Sequence, residues 1–131
     1  MKSMRNLLLT VLVLMLGSCG TTAKFPVSSI VPAADISAIK KTDSHNNITL
    51  QITAKGLASP DRLNPAGNNY IVWVVTNDFG IKNVGQLIIK NAKKSTFKTV
   101  TPFDFNEVFI TVEEQGNLLT PSGAEISRTK M

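Results

Sequence analysis

Six apolar residues in unbroken succession, Tyr70-Ile71-Val72-Trp73-Val74-Val75, closed by Thr76, constrain this chain more than any other feature. Valine and isoleucine are stiff at χ1, and with the aromatic rings they favour the pleated strand over the helix. In an extended segment successive side chains point to opposite faces. Tyr70, Val72 and Val74 therefore share one face, and Ile71, Trp73 and Val75 the other. A strand apolar on both faces is a central strand covered on both. The rest of the chain has to supply those covers.

It has the means. The chain has 131 residues, 43% of them hydrophobic and 18% charged, enough for one small domain with a buried core. Short segments with a two-residue apolar period recur between turn signals on both sides of the central strand. Residues 35–42 carry Ile36 and Ile39, and in 48–53 Ile48, Leu50 and Ile52 alternate with Thr49, Gln51 and Thr53. After the strand, Asn77-Asp78-Phe79-Gly80 reads as a hairpin turn. Further strands are expected over 84–90, 95–101, 108–113 and 124–129, and residues 56–69 form a long connection with two prolines and two glycines. About seven strands over residues 35–131, with no long amphipathic helix, predict an all-β sandwich.

The amino terminus reads as an address. Lys2 and Arg5 precede an apolar run from Leu7 that counts 11 residues to Gly17. A membrane-spanning helix needs about 20 such residues, so the pattern is that of a secretory signal peptide over 1–18. Leu16-Gly17-Ser18-Cys19 closes the run. It resembles the lipobox of bacterial lipoproteins, which implies cleavage after Ser18, a diacylglyceryl group on the thiol of Cys19 and a further acyl chain on its freed amine. Two or three chains anchor a protein stably where one does not. Gly20, rather than Asp, follows the cysteine, which in the enterobacterial sorting pattern implies the outer membrane. Residues 19–34, rich in small residues, Ser/Thr and Pro, read as a flexible tether to the domain.

Composition narrows function by exclusion. One Cys and one His cannot make a disulfide within the chain or a Cys/His zinc cluster. Loss of Lys2 and Arg5 with the signal peptide reduces the net charge from +5 to 12 − 9 = +3. The pairs Lys40-Lys41 and Lys93-Lys94 are not interleaved with aromatics, so no nucleic-acid groove is expected. Lysines of this kind suit solvated loops and guarded strand edges.

Individual residues point the same way. His45, in Asp43-Ser44-His45-Asn46-Asn47, reads as a solvated loop residue rather than a metal ligand. Trp73 reads as a core anchor between two sheets, with a sugar-stacking platform as the other possibility. Asp104 and Glu107 are the close carboxylates near aromatics, but nothing separates their roles as an acid/base pair requires, and surface charge with turn capping is expected. Glu113-Glu114 reads as a solvated strand end. Ser28-Ser29 lacks the Gly-x-Ser-x-Gly setting of a hydrolase nucleophile. No catalytic, metal or cofactor residue is expected, and Cys19 alone is assigned a role, lipid attachment.

Tyr70-x-x-Trp73, the turn through Gly80 and Gly85-x-Leu87, followed by Ile110-Thr111-Val112-Glu113, Gly116 and Pro121-Ser122-Gly123, resemble the extracytoplasmic C-terminal domain of anti-sigma-K factors. The resemblance covers residues 70–126 and implies an immunoglobulin-like or cupredoxin-like sandwich held outside the cytoplasm. The cytosolic sigma-binding domain and the transmembrane helix of that family have no counterpart here. A signal peptide and Cys19 stand in their place, so sigma-factor binding does not carry over. The expectation is a lipid-anchored, non-catalytic interaction or structural module with an envelope protein as partner. The alternative is a glycan- or small-ligand-binding lipoprotein using the loops at 56–69 and 102–107.

Overall fold

In a computed structural model the described residues are 20–91 and 93–131, so the signal-peptide segment 1–18 and Cys19 lie outside them. Eight strands follow in order: β1 (Gly20–Lys24), β2 (Asp35–Thr42), β3 (Ile48–Lys55), β4 (Asn69–Thr76), β5 (Ile81–Leu87), β6 (Ser95–Thr101), β7 (Phe105–Glu113) and β8 (Ala124–Lys130). They form two four-stranded sheets, β1-β2-β3-β6 and β5-β4-β7-β8, in which every pairing is antiparallel. The chain changes sheet between β3 and β4, between β5 and β6, and between β6 and β7. This is the Greek-key connectivity of a β-sandwich.

Alternation within the strands explains the pairing of faces. β3 reads buried, half-buried, buried along its length, so Ile48, Leu50, Ile52 and Ala54 all face inward. With Ile36 and Ala38 of β2 they meet Tyr70, Val72 and Val74 of β4, Val108, Ile110 and Val112 of β7, and Ile126 of β8 in one core. One face of the central strand β4 is thereby covered by the opposing sheet, and its two edges are paired by β5 and β7.

The expected tether is corrected. Residues 20–24 are strand β1, paired with β2 from Gly20↔Lys41 to Lys24↔Ser37. Residues 25–34 then cap the end of the core, burying Phe25 and Val31. The Ser28 hydroxyl accepts the N–H groups of Ile30 and Val31 at 3.1 Å each, which ties down the turn. Thr, Ala and Ser are as compatible with an edge strand and a tight turn as with a spacer. Phe25 and Val31, ten and four residues before β2, were the stronger signal. Two further bounds move: β5 runs over Ile81–Leu87 rather than 84–90, leaving Ile88 exposed beyond its end, and β7 begins at Phe105.

The registers sort the connections between two ends. Gly20 enters opposite Lys41 at the end that also holds the β2–β3 turn, the β4–β5 turn, residues 102–104 and Lys130. This entry end is opposed by a far end carrying residues 25–34, 56–68, 88–91, 93–94 and 114–123. Among the described residues no helix is long and apolar enough to cross a membrane.

Candidate functional site

The second face of β4 is where structure and sequence part most. Ile71, Trp73 and Phe109 form a separate cluster on the outer face of the β5-β4-β7-β8 sheet, with Val75 and Leu118 packed against them. Trp73 is buried, as expected, but it does not lie between the sheets. Its ring stacks on Phe109 with centroids 6.2 Å apart and planes 15° from parallel. Residues 114–123 fold back over the sheet and lay Leu118 on the cluster, so the indole offers no face for a sugar to stack on.

A chain of polar contacts holds that cover in place. The Trp73 indole N–H donates to Thr111 Oγ1 at 2.8 Å, and the Thr111 hydroxyl donates to Glu113 Oε2 at 2.6 Å. The same carboxylate accepts the Ser122 N–H at 3.1 Å and the Ser122 hydroxyl at 3.0 Å. From β5, Asn83 Nδ2 donates to the carbonyls of Gly116 and Leu118. Glu113 is thus 2% exposed, which corrects its reading as a solvated strand end. A buried carboxylate is tolerable because its oxygens are occupied by donors. Glu113→Ala would leave the Thr111 and Ser122 donors without that acceptor, at an expected cost of about 1–3 kcal/mol. Urea unfolding measures the loss, and amide exchange should quicken over residues 114–123 first. Arg128 borders the cluster, its guanidinium 4.0 Å from the Phe109 ring centroid and paired with Glu107 at 3.3 Å and Glu125 at 2.6 Å.

The remaining candidates disperse. His45 sits exposed in the β2–β3 turn, where Asp43 Oδ1 accepts the His45 and Asn47 N–H groups. Among the described residues no three His, Cys, Asp or Glu side chains come together as a metal would need. Asp104 and Glu107 are engaged by different cations: Glu107 by Arg128, and Asp104 by Lys40 at 3.0 Å. Ser28 is a buried turn residue, hydrogen-bonded to backbone on its own loop.

The Lys40 hydrogen bond and charge hold the Asp104 carboxyl below its ordinary value of 3.8. A depressed carboxyl stabilises the fold above its unfolded pKa, and the contribution is lost as pH falls through the folded one. Because Asp104 is largely exposed, the pair should contribute under about 1 kcal/mol. Lys40→Met is therefore expected to lower the melting temperature slightly at neutral pH and to have a smaller effect well below pH 3.8.

The loops at 56–69 and 102–107 lie at opposite ends of the sandwich, so they cannot form one ligand site. At the far end an open depression is lined by Asp61, Asn68, Tyr70, Gln86 and Ile88. Tyr70 belongs to the core, and its hydroxyl donates to the Ala58 carbonyl at 2.6 Å. Burial, reinforced by the nearby Asp61 charge, pushes its pKa up to about 12, so it is a neutral strut and no base. Val27, Ile88 and Leu119 are exposed at this end, Leu119 by 87%. At the entry end Phe79 is exposed on the β4–β5 turn and packs on Phe103 of the β6–β7 loop, ring centroids 5.2 Å apart. Three comparisons with known proteins returned no match, whether of a family model, a curated protein or a solved structure.

Proposed function

We propose that this chain is a bacterial envelope lipoprotein, acylated at Cys19, whose sandwich is a non-catalytic interaction module. The observation that carries the reading is the sequence Leu16-Gly17-Ser18-Cys19 at the end of a short apolar run behind Lys2 and Arg5. The resemblance of residues 70–126 to an extracytoplasmic sensory domain agrees with a location outside the cytoplasm, and Gly20 after the cysteine favours the outer membrane.

The interaction reading draws on the far end. Val27, Ile88 and Leu119 are large apolar side chains that loops present to solvent, away from the strand that carries the anchor. Exposed apolar side chains on loops at one end of a sandwich offer contact points to a partner. The ligand-binding alternative has lost the pairing of its two loops and the open face of Trp73; open depressions beside Tyr70 and beside Pro65 and Ala66 remain to it. A photo-crosslinking residue placed at Leu119 of the full-length protein in cells separates the two. The interaction reading expects one recurrent envelope protein on that residue. Its absence, together with a bound glycan or small molecule released from the purified protein, would transfer the assignment to ligand binding.

A further inference from the structure

We propose that the entry end of the sandwich rests on the bilayer, with Phe79, Phe103 and Ile81 as its lipid-contacting residues. The inference rests on acylation at Cys19, and it adds which surface that anchor brings to the membrane.

No tether separates the proposed lipid site from the sheet. Gly20 is already paired with Lys41 in strand β1, so the acylated residue would be one peptide bond from the sheet. A lipid there cannot hold the domain at a distance; it draws one particular end of the sandwich to the headgroups. That end is fixed by the registers. Thr76 pairs with Phe105 and Ile48 with Thr101, which brings the β4–β5 turn and residues 102–104 to the same end as Gly20.

These loops are built for an apolar boundary. Phe79 is 61% exposed and Ile81 41% exposed, although both stand beside a turn where polar residues would serve the fold as well. Asn77-Asp78-Phe79-Gly80 is shaped by its backbone: the Phe79 N–H donates to Thr76 Oγ1, and Gly80 takes φ +72°. The Phe79 ring is not needed for that geometry. It leans on Phe103 instead, and the Lys82 ammonium lies 5.7 Å from the Phe103 ring centroid. Aromatic rings with a lysine at their margin suit the bilayer interface, where rings lie at headgroup depth and ammonium groups reach outward. The lysines at this end (Lys40, Lys41, Lys82, Lys130) are nearly matched by Asp43, Asp78 and Asp104, so apolar contact and not net charge carries the docking.

The test uses the full-length protein extracted from membranes and returned to vesicles of phosphatidylethanolamine and phosphatidylglycerol. With Cys19 acylated, a thiol introduced as Phe79→Cys is the one free site for the environment-sensitive fluorophore NBD; Asp78→Cys on the same turn is a second probe that leaves both aromatic rings intact. Arg62→Cys, exposed at the far end, is the reference. NBD at 79 and 78 is expected to shift to the blue on vesicles and to be quenched several-fold less by aqueous iodide than NBD at 62, with little change on adding salt. If the protein sediments with the vesicles and all three positions are equally open to iodide, the orientation is wrong while the anchor stands. If it does not sediment and Cys19 is found as a free thiol, the anchor itself is wrong and the orientation falls with it.

Discussion

Trp73→Ala is expected to cost about 3–5 kcal/mol, the range for removing a large buried aromatic side chain. A small domain has about 5–15 kcal/mol in total, so the variant will be at best marginally folded. The loss has three sources that the structure locates. The indole is fully buried against Ile71 and Phe109, its N–H is the first donor in the chain through Thr111 to Glu113, and Leu118 closes over it. Trp73→Phe separates them: it keeps most of the apolar contact and removes the donor, and it should cost clearly less than the alanine variant. Urea unfolding of the two variants in the full chain reads both values. An unchanged midpoint for Trp73→Ala would remove the outer cluster from the account of stability.

Cys19→Ala carries the other large effect. Without the thiol there is no site for the diacylglyceryl group, and the apolar run from Leu7 is too short to span a bilayer in its place. The expected result is accumulation of precursor with its signal peptide uncleaved, or release of the domain into the soluble fraction. Wild-type protein should remain with membranes through a high-salt wash, because acyl chains are held by burial of their methylenes and not by charge. The same amount of processed protein in the membrane fraction of both strains would contradict lipidation.

The sequence made the layers legible and left the covers obscure, for a physical reason. A two-residue period reports which face of a strand is apolar, and it did so for β3 and β7. For β2 it named Ile36 and Ile39, which lie on opposite faces, where the structure buries Ile36 and Ala38. The period does not report what lies on the apolar face. The run at 70–76 required a cover on each side. One cover is the facing sheet; the other is ten residues of loop whose single apolar contribution is Leu118, a pattern with no period to detect. The same blindness affected Glu113. On a strand a glutamate reads as solvent-facing, and only the return of Ser122 to its oxygens makes it an interior residue. A hint was present in Gly123, where a Cβ would come within 1.8 Å of the Val112 carbonyl, since a glycine at such a place marks a close approach of two backbones.

Strand β1 was hidden differently. Its residues, Gly-Thr-Thr-Ala-Lys, have weak patterning because an edge strand buries only one side, and here that side shows little more than Ala23. The consequence for the proposed function is large, because a strand where a spacer was expected ties the proposed lipid site to one end of the sandwich. His45 was read from the sequence much as it stands, an exposed turn residue; Asp104 and Glu107 were read as turn capping and surface charge, and their pairing with Lys40 and Arg128 appears only in the fold.

The central claim, a lipid-anchored module, is tested most directly by the mass of the N-terminal peptide from protein extracted from membranes. The account predicts a peptide that begins at Cys19 and carries the mass of a diacylglyceryl group, with or without an amide-linked acyl chain. A peptide that begins elsewhere, or one that contains Cys19 as an unmodified thiol, would contradict it.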